Sequence, residues 1–145
     1  VPKIAAEPAR ASGAFSRLRG KLALPVRGTV AGRFGARRGE GQPVWKGLFI
    51  RAAEGAEVRA VAAGVVVFAD WLRGYGNLVI IDHDDDFLSV YGNNQTLLAD
   101  AGQKVVAGAA VATVGSSGGQ PESGLYFELR HRGQAFDPGG WLGVK

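Results

Sequence analysis

The chain has 145 residues, the length of one domain with a short extension, because most domains run to about 100–150 residues. It has no cysteine, which excludes disulfides and thiolate metal sites, and only two histidines, His83 and His131. The net charge of +4 suits an anionic partner, whether nucleic acid, a polymer or an acidic protein face. The basic residues are not interleaved with aromatic side chains, which argues against nucleic-acid binding. No apolar run approaches the length of about 20 residues that a membrane span needs.

Residues 1–20 are predicted to be a linker or N-terminal extension. They mix Pro, Ala, Ser and Arg with weak periodicity, and only Ala11 to Leu18 have the pattern for a turn or two of helix. Because the chain starts at Val1 rather than Met and shows no cleavable signal, we expect it to be processed or cut from a longer protein. The compact domain is expected over residues 21–145.

The remainder of the chain predicts an all-β fold with little helix. Its glycines separate short β-branched runs, a pattern typical of an antiparallel β-sandwich or partly open barrel. Residues 63–70 and 77–82 are apolar on both faces and should be central strands. One helical turn is expected around residues 95–99. The predicted strands are Thr29–Phe34, Leu48–Arg51, Glu57–Ala60, Gly64–Asp70, Asn77–Asp82, Leu88–Asn93, Val105–Ala107, Ala110–Val114 and Leu125–Arg130.

The last of these strands alternates two kinds of side chain. Leu125, Phe127 and Leu129 share one face, which should pack in the core. Tyr126, Glu128 and Arg130 share the other face, and we expect Tyr126 and Arg130 to line an open surface.

Five short motifs follow one another along the chain. They are Trp45-x-Gly47-x-Phe49, Gly74-Tyr75-Gly76 before Asn77–His83, Tyr91-x-Asn93, Gly115-Ser116-Ser117-Gly118-Gly119 and Gly124-x-Tyr126-Phe127-Glu128. Their order resembles the lysostaphin/LytM family of zinc endopeptidases, which cut peptide cross-links in bacterial cell walls. Active members carry His-x-Gly-x-Asp, Gly-x-Gly, Tyr-x-His, and a glycine-rich stretch leading into His-x-His-Phe-Glu. The resemblance runs from about Leu22 to Leu142.

At the active-site positions of the family, this chain departs from the pattern. The resemblance puts metal ligands at Trp45, Phe49 and Tyr126, and catalytic histidines at Asn93 and Gly124. Zinc takes imidazole nitrogen or carboxylate oxygen, whereas an indole offers only an N–H donor and a phenyl ring offers nothing. A lone tyrosine has an ordinary pKa of about 10 and would therefore be a weak metal ligand. We therefore expect no metal, no cofactor and no hydrolysis.

Among degenerate members, the chain is similar to the EnvC-like activators of cell-wall amidases. The similarity is carried by Trp45-Lys46-Gly47, Ala69-Asp70-Trp71-Leu72, Tyr91-Gly92-x-Asn94-Gln95, Leu125-Tyr126-Phe127-Glu128 and Trp141-Leu142-Gly143. It implies a catalytically inactive module in the periplasm, which docks an amidase at the vacated zinc groove and pulls an inhibitory segment off the amidase's own zinc. Such proteins usually bind a divisome membrane complex through an upstream coiled coil, which is not visible in this sequence, so this partner is not predicted.

The composition of the expected groove also favours binding of a protein segment. Aromatic and arginine side chains are typical of interface hot spots, and an amphipathic helix in a groove is a common recognition mode. Alternatively, Trp45 and Phe49 fill the space of the metal and pack as core, and both roles can hold at once. The predicted groove residues are Trp45, Lys46, Phe49, Tyr75, Leu78, Tyr91, Asn93, Tyr126 and Arg130.

Two other functions stay open for this domain. A noncatalytic peptidoglycan-binding module would use the same groove to hold glycan or stem peptide, and a zinc endopeptidase would require stoichiometric zinc. His83 is expected at the surface or in a hydrogen bond rather than on a metal. The acidic run Asp84-Asp85-Asp86 lacks the EF-hand spacing and predicts a solvated hairpin turn, and His131 is expected in a turn beyond the last strand.

Overall fold

The computed structural model describes residues 14–37, 41, 44–119 and 121–143. These residues form ten β-strands and two short 3₁₀ helices, Ser16–Leu18 and Pro138–Gly140. The strands are β1 (Thr29–Gly32), β2 (Leu48–Arg51), β3 (Glu57–Arg59), β4 (Gly64–Leu72), β5 (Gly76–Asp82), β6 (Phe87–Leu97), β7 (Lys104–Val105), β8 (Ala110–Val114), β9 (Gly124–His131) and β10 (Gln134–Phe136).

The strands form one antiparallel assembly in the order β1-β2-β9-β6-β5-β4-β7. Off this path, β10 pairs with β9, and β8 joins β3 to β6. The predicted all-β antiparallel fold is therefore confirmed, and each predicted strand overlaps an observed one. None of the described helices is long and apolar enough to cross a membrane.

The helical turn predicted around residues 95–99 is wrong. Strand β6 continues to Leu97, because Thr96 and Leu97 pair with Thr113 and Ala112 of β8 beyond a register shift. A β-bulge bends the strand here without ending its pairing. The short strand β10, which the sequence did not predict, forms a hairpin with β9.

The two strands predicted to be central differ in position. Strand β5 lies between β4 and β6, as expected, but β4 has only the two-residue β7 on its far side. The apolar runs on both faces are nevertheless buried, because apolar clusters lie on both sides of this part of the sheet. Val66 and Val79 belong to the main core, whereas Phe68 and Leu78 belong to a smaller cluster on the opposite face.

The predicted alternation of β9 is confirmed for its inner face. Leu125, Phe127 and Leu129 are fully buried in the main core. Their neighbours Tyr126 and Arg130 therefore lie on the opposite face, the face that carries the candidate site.

The segment before residue 21 contributes to the core. Phe15 is 2% exposed, and its ring stacks on His83 with a centroid distance of 4.5 Å. The backbone N–H groups of Ala14 and Phe15 donate hydrogen bonds to the Asp84 carboxylate. Of the helical turn expected from Ala11 to Leu18, residues 11–13 lie outside the described residues, and the rest holds the first 3₁₀ helix.

Two expectations near this contact are corrected. Asp84 is not part of a solvated turn, because its carboxylate is buried under the N–H groups that it binds. His131 is not in a turn beyond the strand, because it is the last residue of β9 and stacks on Phe87 at 4.0 Å. His83 is buried and hydrogen-bonded, as one of its two expected placements required.

Candidate functional site

The candidate site is the outer face of β1, β2, β9 and β6. Cross-strand pairing places Gly32, Phe49, Tyr126 and Gly92 side by side in that order. Residues paired across antiparallel strands point to the same face. Two aromatic side chains therefore lie between two glycines, and the glycines leave room for rings that come from outside the sheet.

Trp45 occupies the space above Gly32. A Cβ at Gly32 would lie 2.4 Å from Cε2 of the indole, so only glycine permits this position of the ring. The indole is half-buried and stacks on Phe49 at 5.8 Å and on Tyr126 at 6.1 Å. The three rings form one continuous stack, whose outermost member is Trp45.

Phe49 fills the interior of the site. It is 2% exposed, and its ring lies against the backbone of Gly124, where a Cβ would be 2.5 Å from Cζ. A histidine at residue 124, which the family pattern requires, has no space beside this ring. The expectation that Phe49 lines an open groove is wrong, and the alternative that it packs as core describes its position.

A buried carboxylate lies beside these rings. Glu128 is 1% exposed, accepts a hydrogen bond from the Tyr126 hydroxyl at 2.5 Å, and pairs with Nε of Arg130 at 2.7 Å. Burial of a charge is costly unless it is paired and hydrogen-bonded. The hydrogen bond to Glu128 raises the pKa of Arg130, so the guanidinium stays charged. Glu128 thus fixes Tyr126 and Arg130 at the surface of the site.

Sequence reasoning did not single out Glu128 as a site residue. The sequence did carry a signal for it: Tyr126, Glu128 and Arg130 share one face of the strand, and Glu128 and Arg130 carry opposite charges.

Tyr75 forms the opposite wall. Its ring lies 5.8 Å from that of Tyr126, and burial, with the nearby Glu128 charge, raises the pKa of its hydroxyl. The Tyr75 carbonyl accepts hydrogen bonds from the backbone N–H of Asn93 at 2.7 Å and from its side-chain amide at 3.2 Å. The same amide donates to the carbonyl of Ser117 at 2.9 Å. Asn93 therefore joins the loops of Tyr75 and Ser117. The expectation that it lines the groove is wrong, because its side chain is buried.

Two further predicted groove residues are also buried elsewhere. Tyr91 is fully buried in the main core, where its hydroxyl accepts from the N–H of Val61 at 3.0 Å; burial raises its pKa to about 12. Leu78 packs with Phe68 and Val90 in the smaller cluster, under Tyr75. The residues that the structure leaves at the surface of the site are Trp45, Lys46, Tyr75, Arg130 and the edge of Tyr126.

The chemistry of these side chains does not match a metal centre. Within the described part of the chain, no group of three or more His, Cys, Asp or Glu residues is arranged to hold a metal ion. The side chains at the family's ligand positions are an indole, a phenyl ring and a phenol that is hydrogen-bonded to Glu128. The arrangement suits contact with another molecule through aromatic surface, one lysine and one arginine.

Comparisons with known proteins find curated relatives that are similar over most of this chain. Over 132 residues the chain is 47% identical to the murein hydrolase activator EnvC of Escherichia coli. This match covers 91% of this chain but only 31% of the relative. It is 44% identical to the murein hydrolase activator NlpD of Escherichia coli, over 79% of this chain and 29% of the relative. The chain thus spans about a third of the length of these relatives.

A solved structure and a family profile indicate which family the chain belongs to. The catalytic domain of the prophage-encoded M23 protein EnpA from Enterococcus faecalis superposes with a TM-score of 0.68 at 30% identity, over 78% of this chain and 90% of that one. The family profile described as Peptidase family M23 matches residues 43–138, which include every position of the candidate site from Trp45 to Arg130. This chain belongs to peptidase family M23.

Proposed function

We propose that this domain is a non-catalytic activator of cell-wall (N-acetylmuramoyl-L-alanine) amidases in the bacterial periplasm at the division site. The amidase binds at the aromatic surface of Trp45, Tyr75 and Tyr126, with Lys46 and Arg130 at its margin. The observation that carries the proposal is the ring of Phe49 in the space that a catalytic histidine at residue 124 would need. A site filled in this way retains the scaffold of a hydrolase and presents only binding groups.

The likeness to two murein hydrolase activators supports the class of function. The arrangement of rings supports the place of contact, because half-buried aromatic side chains with polar tips give contact area and a hydrogen bond at low entropic cost. A partner helix that lays apolar side chains over Trp45 and Tyr75 would bury both rings further.

Release of dye from labelled cell wall tests the proposal. The assay compares a candidate periplasmic amidase alone, the chain alone, and the two together. We expect release above the amidase's own level only when both are present. Release by the chain alone would contradict the non-catalytic assignment.

Charge reversal locates the contact. Lys46→Glu changes an exposed lysine beside Trp45, and Lys104→Glu is the matched control at an exposed lysine of β7. We expect Lys46→Glu to lower activation several-fold and Lys104→Glu to leave it unchanged. If the chain does not activate the amidase and Lys46→Glu abolishes its co-sedimentation with purified wall, the domain is the noncatalytic peptidoglycan-binding module instead.

A further inference from the structure

A second surface lies along the outer edge of strand β4, away from the groove. Strand β5 pairs with β4 from Val65 to Leu72, but on the other side β7 pairs only with Gly64 and Val65. The loop before β7 holds Val66 through hydrogen bonds with Gly102 and Gln103. Among the described residues, no strand covers residues 67–72 on this side. We call these residues the open edge.

The backbone groups of the open edge point outward at alternate residues. Asn77, which faces Trp71 across the β4–β5 hairpin, donates its N–H to Ser117 on the far side of β5. Trp71 and Asn77 are therefore a pair without mutual hydrogen bonds, and the N–H of Trp71 faces outward. The Asp70 carboxylate accepts this N–H at 2.7 Å. By alternation, the backbone of Ala69 faces outward as well.

The open edge also carries exposed apolar side chains. Trp71 is 55% exposed and Leu72 is 36% exposed. An uncovered strand edge with apolar side chains is a template for pairing, and proteins commonly guard such edges with charged side chains. Asp70 is such a guard, because it occupies the one outward N–H for which the structure records an acceptor.

The open edge could pair with a second copy of this chain or with a strand of another protein, and the charge of Asp70 decides between these two. If a second copy paired with this edge in antiparallel register, Ala69 would face Trp71 of the other copy and the two Asp70 side chains would lie directly opposite. Like charges in that position destabilise a sheet. An added strand with a basic side chain at that position would instead form a cross-strand ion pair.

We propose that the open edge binds an extended segment of a partner protein with alternating apolar and basic residues, by addition of a strand to β4. A carbonyl of the segment replaces the Asp70 carboxylate at the N–H of Trp71, and the released carboxylate pairs with the basic residue opposite. The apolar residues of the segment cover Ala69 and Trp71. This surface is independent of the groove and of amidase activation.

The probes are two end-blocked pentapeptides, Val-Lys-Val-Lys-Val and Val-Glu-Val-Glu-Val, added to the whole chain. Amide hydrogen exchange at Ala69 and Trp71 is read by NMR. We expect the basic peptide to protect both amides, with an affinity about two- to fivefold above that of the acidic peptide, the size of an exposed cross-strand ion pair. Asp70→Asn should remove the preference, and Asp70→Lys should reverse it.

Glu54→Lys is the control variant, since it makes the same change of charge in an exposed turn away from β4. It should retain the preference for the basic peptide. Three results would overturn the proposal: no protection by either peptide, an unchanged preference in Asp70→Lys, or protection of Ala69 and Trp71 without peptide in a chain that sediments as a dimer. The amidase assay reads out none of these, so the two proposals fail separately.

Discussion

The ring of Phe49 and the backbone of Gly124 occupy adjacent space on neighbouring strands, so that a Cβ at residue 124 would lie 2.5 Å from Cζ of the ring. In the family pattern these two positions hold a metal ligand and a catalytic histidine. Here a large ring at one position requires the absence of a side chain at the other. A histidine at residue 124 therefore cannot be restored alone, because its side chain would meet the ring of Phe49.

Gly124→Ala tests this dependence. We expect the free energy of unfolding to fall by about 1–3 kcal/mol, the usual cost of extra atoms in a packed region. The added methyl would also meet the Ile50 carbonyl oxygen at 2.6 Å, so the backbone has to shift. Urea unfolding followed by circular dichroism measures the change. Gly140→Ala is the matched control, because a Cβ there meets nothing within 4 Å.

A smaller residue beside Gly124 should reduce this cost. In the background Phe49→Leu, the further change Gly124→Ala is expected to cost less than it does beside phenylalanine. Equal costs in the two backgrounds would mean that the ring does not determine the glycine, since independent sites have additive effects.

The pair of Glu128 and Arg130 gives a second prediction. Arg130→Met leaves the Glu128 carboxylate buried without the guanidinium that pairs with it, and loss of one member of a buried pair costs about 3–5 kcal/mol. Because Arg130 is itself about one-third exposed, we expect the lower part of that range. Urea unfolding at pH 7 measures the loss.

Arg51→Met is the matched control for this variant. Its partner Glu122 and Arg51 itself are both about half exposed, and such pairs contribute about 0–1 kcal/mol. If the two variants lost equal stability, Glu128 would be reached by solvent and would not hold the site together.

The strand pattern could be predicted because β-branched runs and glycines mark it locally. Strands β2 and β8 have the predicted bounds, Leu48–Arg51 and Ala110–Val114. The face of a strand is harder to predict where both faces are apolar. In β6, Val90 and Tyr91 are both buried, and only the pairing of Gly92 with Tyr126 decides that Tyr91 faces the core. That register is set by pairing with β9, a strand distant in the sequence, and local patterning does not encode it.

Part of the site could be predicted from residue type alone, without knowledge of the geometry. An indole and a phenyl ring at positions 45 and 49 indicate that the ligands are replaced, whatever the geometry. The depth of each ring was not predictable, because it depends on glycines in other strands. Trp45 lies over Gly32 of β1, and Phe49 lies over Gly124 of β9.

The segment before residue 21 yields a third prediction. Phe15→Ala removes a ring that contacts His83, Phe87 and Trp141, and truncation of a buried phenylalanine costs about 3–5 kcal/mol. We expect a loss of this size in urea unfolding. A domain that began at Lys21 would be indifferent to the change. Leu98→Ala, at a leucine that is about half exposed, is the control and should cost far less.

The last prediction concerns pH and the same contact. His83 is buried between a carbonyl and a hydroxyl: Nδ1 lies 2.8 Å from the Ala63 oxygen and Nε2 lies 2.7 Å from Oγ of Ser89. Since a carbonyl oxygen only accepts, Nδ1 carries the proton of the neutral ring and Nε2 accepts from Ser89. Burial lowers the pKa of His83 from 6.5 to about 4, against smaller opposing effects of Ala63 and the Asp84 charge.

The sign of the effect follows from proton binding in the two states. Between pH 6.5 and about 4 the unfolded chain binds a proton at His83 that the folded chain does not, so stability falls as the pH falls through this window. A shift of this size corresponds to a loss of about 3 kcal/mol across the window. Above pH 6.5 the histidine is neutral in both states and contributes no slope.

Urea unfolding of the chain and of His83→Gln, from pH 7.5 to 4.5, measures this contribution. The carboxylates titrate in both proteins, so the difference between the two curves isolates His83. The variant should lose less stability than the parent chain as the pH is lowered below about 6.5, the ordinary pKa of histidine. Parallel curves would mean that the ring is protonated inside the fold, and the hydrogen bond from Ser89 to Nε2 would then be wrongly assigned.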